Sequence, residues 1–509
     1  MTARVLMVQG TMSHAGKSLL TAALCRIFTQ DGYSVAPFKA QNMSNNAAVV
    51  PDGGEIGRAQ MVQAEAARAM PRVEMNPILL KPEADHRSQV VVMGRATRAA
   101  NAREYYTLKA ELWPVVTEAL DTLRREYDVV VIEGAGSPAE INLREQEIVN
   151  MRVAKYAHAP VLLVGDIDRG GVFAQLVGTM ALLEPDEAAL VKAFVINKFR
   201  GDVSILEPGL AMLTERTGVP VAGVVPYLKD LAIPEEDGVD VERQRHNERP
   251  RGTETLEVAV IRLPHIANFD DFDPLAREPS VRLRYVTRAD DLSAADLIVL
   301  PGTKTTVADL AWLRERGFDK AIRARHAAGA AVIGVCGGYQ MLGRRIRDPD
   351  VVESPQRETD GLGLLAVETR FEGKKATHRV RGKVIESRGL LSDCADAAFD
   401  GYEIHMGRTT PSSPALRIVE RSSEAVDVND GMLDADGRVL GTYVHGLFHN
   451  DAIRHSVLRA IARRKGVALP QLLPFASADA EFDKLADAVR NSLDMDFIYR
   501  SVGLESRHG

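Results

Sequence analysis

The most informative segment in the first half of the chain is Val5-Leu-Met-Val-Gln-Gly10-Thr-Met-Ser-His-Ala-Gly16-Lys17-Ser18. Its apolar start predicts a buried β-strand, and the Gly-Lys-Ser end predicts a helix beginning directly after a tight turn. In such a loop the backbone N–H groups surround phosphate oxygens, the lysine reaches the β- and γ-phosphates, and the hydroxyl binds Mg²⁺. We therefore expect Gly10, Gly16, Lys17 and Ser18 to form a nucleotide phosphate site. Five residues separate the two glycines, where the usual pattern has four.

The first 230 residues or so alternate short apolar runs with helical patterns, such as residues 17–30 and 108–126. Runs dense in Val, Ile and Phe are typical of strands buried on both faces of a parallel sheet. The alternation predicts a doubly wound α/β sheet with its ligands at the carboxyl ends of the strands. The predicted strands are residues 5–8, 34–38, 129–132, 161–164 and 193–196.

A second α/β alternation follows a charged stretch, residues 233–254, which has too little apolar material to pack and which we interpret as a linker. The fold class is therefore α/β with two domains, each a doubly wound, mostly parallel sheet. Residues 1–232 form the first domain and residues 255–451 the second. Helical spacing in residues 452–464 and 479–499 predicts a C-terminal segment, 452–509, packed on the second domain. The second domain's predicted strands are residues 258–263, 297–300, 331–335 and 439–444.

The composition limits the function classes. The chain has 509 residues and a formal net charge of -7, which argues against a nucleic-acid partner because such proteins usually carry a basic surface. Its 3 cysteines are widely spaced, so neither a disulfide framework nor a Cys-x-x-Cys metal site is expected. The sequence shows no signal-peptide layout and no apolar run near the ~20 residues that span a bilayer. We expect a cytoplasmic protein with no membrane partner, and homo-oligomer formation is left open.

Besides the Ser18 hydroxyl, a nucleotide site needs an acidic group to hold its metal ion. The buried run 127–132 ends in Glu133, followed by Gly-Ala-Gly136, which allows the backbone to approach phosphate. We expect Glu133 and Ser18 to bind Mg²⁺. A solvated acid at a strand end is the alternative interpretation.

A cysteine nucleophile is predicted in the second domain. The sequence Ala331-Val-Ile-Gly-Val-Cys336-Gly-Gly-Tyr is a buried strand, a cysteine flanked at −2 and +2 by glycine, and a helix start. This is the cysteine form of the nucleophile elbow, in which a sharp turn lifts the sulfur clear of the sheet. The helix start favours the thiolate, and the N–H of Gly337 is placed to stabilise an oxyanion. A buried inert thiol is the alternative, and we expect it for Cys25 and Cys394.

A thiolate nucleophile needs a base. His445 follows a β-rich run, at the carboxyl end where active sites form, and is the best placed of the 12 histidines by this criterion. Gly302 ends another predicted strand, and its backbone could supply the second oxyanion donor. A capped surface histidine is the alternative for His445.

The two halves resemble two known classes of domain. The stretched phosphate loop, Glu133-Gly-Ala-Gly and Asn197-Lys-Phe-Arg-Gly are similar to the dethiobiotin synthetase class, which uses ATP to phosphorylate a carboxylate. That resemblance implies that Lys39 assists the phosphates and that Asn197 contacts adenine. The elbow resembles a flavodoxin-like class I glutamine amidotransferase. Most of that class has a Glu two residues after the His, whereas Leu447 stands here, so a Cys336–His445 dyad is expected.

Over essentially the whole chain the sequence resembles the cobyric acid synthase family. The resemblance is carried by Phe38-Lys-Ala-Gln-Asn-Met-Ser-Asn-Asn, Glu133-Gly-Ala-Gly-Ser-Pro-Ala-Glu-Ile-Asn-Leu, Gly165-Asp-Ile-Asp-Arg-Gly-Gly and Gly401-Tyr-Glu-Ile-His-Met-Gly. It implies that L-glutamine, ATP and adenosylcobyrinic acid a,c-diamide are the substrates. Ammonia released at Cys336 would amidate the b, d, e and g carboxylates through acyl phosphates, with Mg²⁺ bound beside the ATP.

Further polar residues are substrate or phosphate candidates. Asp166 and Asp168 follow a predicted strand and could bind metal, substrate or acyl phosphate, or form a solvated turn. Gln41, Asn42 and Asn45 lie in a segment rich in amide side chains that could contact the corrin, or form a loop without a ligand.

Two rival functions stay open at this point. One is an amidase of the same layout acting on another acid, such as a cell-wall lipid intermediate or UTP. The other is a non-enzymatic regulator with a decayed amidotransferase domain. Met12 argues against the regulator, because partition-type ATPases carry a lysine at that place.

Overall fold

The first domain is built on a six-stranded parallel sheet with the order β12-β11-β10-β1-β9-β2. In this computed structural model the described residues are 2–83, 87–228, 231, 233, 255–469, 472–474 and 478–505. All five predicted strands of this domain are present, because their Val, Ile and Phe side chains are buried on both faces. The sheet strands are β1 (Arg4–Gly10), β2 (Val35–Phe38), β9 (Val129–Glu133), β10 (Val161–Asp166), β11 (Val191–Phe199) and β12 (Val221–Pro226).

Helices flank this sheet as the alternating pattern predicted, and α1 has the predicted bounds. The helices are α1 (Lys17–Gln30), α2 (Arg58–Ala66), α3 (Ala102–Glu126), α4 (Met151–Ala157), α5 (Val172–Leu182), α6 (Pro185–Ala188) and α7 (Val203–Thr217). Short 3-10 helices lie at Val73–Met75 and Ile141–Gln146.

Between β2 and α3 the chain forms two small sheets and α2, which the strand pattern did not predict. One sheet has the order β3-β6-β7-β8, and the other is the hairpin β4-β5. These strands are β3 (Gln41–Met43), β4 (Ala47–Val49), β5 (Glu55–Gly57), β6 (Ile78–Pro82), β7 (Arg87–Val92) and β8 (Arg95–Asn101).

The second domain is an 11-stranded sheet with the path β15-β13-β16-β18-β25-β24-β23-β21-β19-β20, in which β22 pairs with β21. Its first five strands are parallel and include all four predicted ones. The mostly antiparallel extension beyond β25 was not predicted. The parallel strands are β13 (Leu256–Ile261), β15 (Val281–Val286), β16 (Leu297–Leu300), β18 (Ala331–Val335) and β25 (Val439–Thr442).

The extension consists of β19 (Arg345–Arg347), β20 (Glu358–Asp360), β21 (Glu368–Val384), β22 (Ala398–Thr409), β23 (Pro414–Arg421) and β24 (Glu424–Leu433). A small ladder joins β14 (Ile266–Ala267) to β17 (Gly302–Thr303). Short 3-10 helices lie at Phe269–Phe272, Ala289–Leu292, Gly389–Leu391 and Leu447–His449. The helices of this domain are α8 (Asp273–Arg277), α9 (Thr306–Glu315), α10 (Phe318–Ala327), α11 (Gly337–Leu342) and α12 (Asp451–Lys465).

The C-terminal helices do not all pack where they were expected. α12 joins the core of the second domain, but α13 (Ala478–Arg490) and α14 (Met495–Val502) return to the first domain and pack beside α1. Phe28 and Tyr499 meet edge to face at 5.4 Å, and Arg26 pairs with Asp483 at 2.7 Å. The prediction for residues 452–509 was therefore wrong for these two helices. Helical spacing reveals an apolar face, but it does not identify the surface that covers that face.

The two domains share an apolar and ionic interface. Side chains from β4, β6 and β7 form a buried cluster with Tyr402 and Ile404 of β22. Lys304 pairs with Glu83 at 2.8 Å, and Glu55 is held by Lys81 and by Lys375 of the second domain. Most of the predicted linker, residues 234–254, lies outside the described residues. Among the helices described, none is long and apolar enough to cross a membrane.

Candidate active sites

Cys336 stands at a strained turn between β18 and α11, as the elbow pattern predicted. Its backbone angles are φ 52 and ψ -109, a conformation that L-residues rarely adopt. A Cβ at position 338 would lie 2.0 Å from the carbonyl oxygen of Leu300, so only glycine fits there. The thiol is buried, and Sγ lies 3.5 Å from the carbonyl oxygen of Ile404. The local chain is thus shaped to present the sulfur at the carboxyl edge of the sheet.

His445 is buried beside Cys336 and is held by a carboxylate that the sequence did not reveal. Its Nδ1 lies 2.6 Å from Oδ2 of Asp271, and the other carboxylate oxygen, Oδ1, accepts a hydrogen bond from Gly446 N at 2.8 Å. The ring also stacks on Tyr402, with centroids 5.1 Å apart. This geometry fixes which ring nitrogen is left for the thiol and for a leaving group.

The Cys336–His445 dyad stays a prediction, and the structure adds the Asp271 carboxylate within hydrogen-bond distance of the His445 ring. Asp271 lies in the 3-10 helix Phe269–Phe272, 174 residues before His445, whereas Leu447 at the usual position is buried and apolar. Only an Asp pair between two phenylalanines marks this place in the sequence. Such a pair does not indicate its partner.

The pKa of His445 is raised to about 10. Burial alone would lower it, but the charge and hydrogen bond of Asp271, together with Cys336, outweigh burial. The imidazolium form is thus favoured at neutral pH, which suits a proton donor to a leaving ammonia.

The two predicted oxyanion glycines adjoin this pair. A Cβ at Gly302 would lie 2.9 Å from Cε1 of His445, and one at Gly337 would lie 2.6 Å from Cγ2 of Thr303. Neither position has room for a side chain. That their N–H groups stabilise an oxyanion stays a prediction.

The phosphate loop follows β1 and opens α1. Lys17 Nζ donates to the carbonyl oxygens of Met12 at 3.0 Å and Gly136 at 3.1 Å, which draws the loop towards the end of β9. Gly16 has φ 94, and a Cβ there would lie 2.0 Å from Nδ2 of Asn197. Glycine is therefore required at position 16.

Glu133 is the centre of a buried polar cluster at the start of α1. Its carboxylate accepts hydrogen bonds from Ser18 Oγ at 2.8 Å, Lys39 Nζ at 3.0 Å and Gln63 Nε2 at 2.5 Å. Burial would raise the pKa of Glu133, but Lys39 and the hydrogen bonds outweigh it and lower the pKa. The group is therefore an anion. Gln63, on α2, was not predicted as part of this site.

The donor set suits Mg²⁺, which prefers oxygen ligands and is usually shared with substrate phosphates. Glu133 and Ser18 would hold it. Among the described residues no group of three or more His, Cys, Asp or Glu could bind a metal by itself. Phosphate oxygens would therefore have to complete the coordination.

A cavity of about 800 Å³ opens over this cluster. Most of the predicted nucleotide and substrate residues line it, whereas Gly10, Asn45, Asp166 and Asp168 do not. The lining includes the predicted residues Gly16, Lys17, Ser18, Lys39, Gln41, Asn42, Glu133 and Asn197. The lining beyond the phosphate cluster carries four acids, Glu140, Glu147, Glu184 and Glu187, but six cations, and this excess of positive charge suits a substrate that carries several carboxylates. These cations are Lys109, Arg144, Arg152, Lys155, Arg169 and Lys198.

Asp166 and Asp168 are engaged by cations of the next strand and its following turn. Asp166 is buried and pairs with Lys198 at 2.9 Å, and Lys198 also donates to the carbonyl oxygen of His14 at 2.6 Å. Asp168 pairs with Arg200 at 2.9 Å. Asp166 is thus linked through Lys198 to the phosphate loop, whereas Asp168 contacts the turn that follows β11.

The amide candidates have different environments. Asn42 donates to Gln60 of α2 at 2.9 Å, and Gln41 accepts a hydrogen bond from Tyr105 at 2.5 Å. Oδ1 of Asn45 is buried and accepts no hydrogen bond from a described residue. Asn197 donates to the carbonyl oxygen of Ala15 at 2.9 Å, so its predicted contact with adenine would require that bond to be exchanged.

Both domains match family models, and the whole chain has close relatives. Residues 6–241 match the CobQ/CobB/MinD/ParA nucleotide binding domain, and residues 257–453 match the CobB/CobQ-like glutamine amidotransferase domain. A cobyric acid synthase of Sorangium cellulosum is 53% identical, over 100% of this chain and 100% of the relative. A cobyric acid synthase of Dehalococcoides mccartyi strain BAV1 is 52% identical, over 98% of this chain and 98% of the relative. A cobyric acid synthase of Moorella thermoacetica is 51% identical, over 99% of this chain and 98% of the relative.

Proposed function

This chain belongs to the cobyric acid synthase family of ATP-dependent, glutamine-hydrolysing amide ligases, and on that premise we propose its substrate and the roles of its residues. The substrate is adenosylcobyrinic acid a,c-diamide. The reaction converts its b, d, e and g carboxylates into amides, with nitrogen from glutamine and energy from ATP. The observation that carries this proposal is the presence, on one chain, of a Cys336–His445 site and a separate phosphate-loop cavity with a cationic rim.

Glutamine hydrolysis takes place in the second domain. The thiolate of Cys336 attacks the side-chain amide carbon, and the oxyanion is stabilised by backbone N–H groups at Gly337 and Gly302. His445 gives its proton to the leaving nitrogen, the C–N bond breaks, and ammonia departs. Water then hydrolyses the γ-glutamyl thioester to glutamate, with the neutral His445 as base. Asp271 keeps the ring oriented throughout and stabilises its positive form.

Amide synthesis takes place at the cavity of the first domain. A corrinoid carboxylate attacks the γ-phosphorus of ATP, ADP leaves, and an acyl phosphate forms. Ammonia then attacks the acyl carbon and displaces phosphate. Activation is needed because a free carboxylate resists attack by an amine. Lys17 and Lys39 stabilise the developing negative charge, and Mg²⁺ held by Glu133 and Ser18 would neutralise phosphate oxygens.

Several cations suit the peripheral carboxylates of the corrinoid. The rim of the cavity carries Lys109, Arg152 and Arg169 among others, and the chain as a whole is acidic. This local concentration of positive charge favours a polyanionic substrate by electrostatic steering. Gln41 and Asn42 line the cavity, which supports a role in contacting amides or carboxylates of the corrinoid.

The test is mass spectrometry of the corrinoid after incubation with glutamine, ATP and Mg²⁺. We expect the a,c-diamide to gain amides at the b, d, e and g positions, and the reaction to stop without ATP. A protein that hydrolyses glutamine and ATP but leaves the a,c-diamide unchanged would refute the substrate. The same assay with UTP as acceptor tests the rival acid named above.

A further inference from the structure

Helix α2 lines the nucleotide cavity and contacts the segment of the second domain that carries Asp271. Gln63 donates to the Glu133 carboxylate at 2.5 Å, and Ala59 and Val62 line the nucleotide cavity. At the first residue of the same helix, Arg58 Nη2 lies 2.8 Å from Oδ2 of Asp270 in the second domain. Five residues of helix span only about 7.5 Å. One rigid element therefore joins the metal carboxylate to the neighbourhood of the glutaminase site.

The contact between Arg58 and Asp270 is a buried ion pair. Asp270 is 2% exposed, and its carboxylate accepts no well-aligned hydrogen bond from any described residue. The guanidinium of Arg58 is therefore the group that compensates this charge most closely. A buried carboxylate without such compensation is strongly disfavoured, and its segment would move towards water.

Asp270 precedes Asp271, the carboxylate that holds His445. Movement of one acid therefore moves the other. The same segment is also held by the first domain through Asn268, whose backbone N donates to Asn46 Oδ1 and whose Nδ2 donates to Ala47 O, both at 2.8 Å. Asn268 Nδ2 also lies 2.6 Å from the hydroxyl of Tyr402, the ring on which His445 stacks.

We infer that Arg58, a residue of the nucleotide-binding domain, is a positioning residue for the Asp271–His445–Cys336 unit of the other domain. The inference rests on the proposed glutaminase and synthetase activities. By neutralising Asp270, Arg58 keeps the 3-10 helix Phe269–Phe272 in the position where Asp271 contacts His445. Correct docking of the two domains is then a condition for glutamine hydrolysis, which prevents ammonia from being released where no acceptor site is present.

The test uses the full-length protein and compares two reactions. Glutamate formation reports the glutaminase, and ADP formation with ammonium chloride and the a,c-diamide reports synthesis without it. We expect Arg58→Met to lower kcat for glutamate formation about 10- to 100-fold, because small displacements of catalytic groups have effects of this size. KM for glutamine should change little, and ammonium-dependent ADP formation should stay close to that of the unaltered protein.

Two further variants separate positioning from general damage. Arg58→Lys keeps the charge and should recover much of the glutaminase rate. Gln89→Ala removes another interdomain contact, the 3.3 Å hydrogen bond from Lys375, which does not involve Asp270, and it should leave both activities unaltered.

Several results would overturn the inference. One is a folded Arg58→Met variant that loses glutamine-dependent and ammonium-dependent turnover to the same extent. Another is a Gln89→Ala variant that loses as much glutaminase activity as Arg58→Met does. If Arg58→Met does not fold, Arg58→Met/Asp270→Asn removes the uncompensated charge and should recover much of the glutaminase rate, and a folded double variant without glutaminase activity would also overturn the inference. An unaltered protein that hydrolyses no glutamine refutes the proposed function itself. Normal glutaminase in both the unaltered protein and Arg58→Met refutes only the role of Arg58.

Discussion

Replacing Asp271 with asparagine removes the negative charge that lies 2.6 Å from Nδ1 of His445 while keeping the size of the side chain. Raising the pKa of His445 from 6.5 to about 10 corresponds to about 5 kcal/mol in favour of the protonated ring, at ~1.4 kcal/mol per pH unit. Because burial opposes this shift, the contributions of Asp271 and Cys336 together exceed it. Loss of an orienting carboxylate beside a catalytic histidine lowers kcat by up to about 10⁴-fold. We expect glutamate formation by Asp271→Asn to fall about 10²- to 10⁴-fold.

The pH dependence of glutamine hydrolysis shows in which direction the pKa of His445 changes when Asp271 is replaced. In the unaltered protein the imidazolium of His445 persists up to about pH 10. Without Asp271, burial is the larger influence and disfavours the charged ring, so the pKa of His445 falls. The alkaline limb of kcat/KM for glutamine should therefore move to lower pH. The assay is glutamate formation across the pH range, with ammonium-dependent ADP formation as the internal reference.

Asp290→Asn is the matched control. It is the same chemical change at an acid whose side chain is 88% exposed and pairs only with Arg288 among the described residues. It should leave the rate and the pH profile unaltered. An Asp271→Asn variant that keeps the wild-type profile and rate would refute the orienting role and restore the simple dyad.

Four further outcomes are expected. Cys336→Ala should abolish glutamine-dependent amidation while ammonium salts still support it; loss of both in a folded variant would contradict the two-site arrangement. Lys17→Ala should remove ADP formation with either nitrogen source, and retained amidation would rule out its role at the phosphates. Gly302→Ala should impair the glutaminase selectively, because its Cβ would lie 2.9 Å from Cε1 of His445; unaltered glutamate formation would show that the ring can yield. Because the pKa of His445 is raised in the folded protein, its contribution to stability is complete below pH 6.5 and is lost as the pH rises to about 10. Thermal unfolding of the unaltered protein and Asp271→Asn should therefore converge over that range, and a constant difference in Tm would contradict the shift.

Much of the fold could be predicted because its signals are local. Strands buried on both faces appear as continuous apolar runs, and helix α1 begins where Gly16 ends the phosphate loop. The Cys336 elbow is likewise encoded within a few residues, since glycines are needed on both sides of so sharp a turn. Apolar and polar residues are mixed irregularly along β21 and β22, so the sequence did not indicate strands there. The antiparallel extension was therefore not predicted.

The candidate sites divide in the same way. Lys17, Ser18, Glu133 and Cys336 follow from motifs at strand ends, where an α/β sheet places its ligands. Asp166 has the same kind of position, yet it braces Lys198. A strand-end acid thus marks the edge of the sheet, and its partner decides what it does there.

The two α/β domains, the phosphate loop and the nucleophile turn could be predicted from local sequence, because each depends on residues close together in the chain. The contacts of Asp271 with His445 and of Gln63 with Glu133, and the return of α14 to the first domain, became visible in the folded chain alone. The first two contacts join residues 174 and 70 positions apart. No local period specifies such pairings, since they arise from the way whole elements pack against one another.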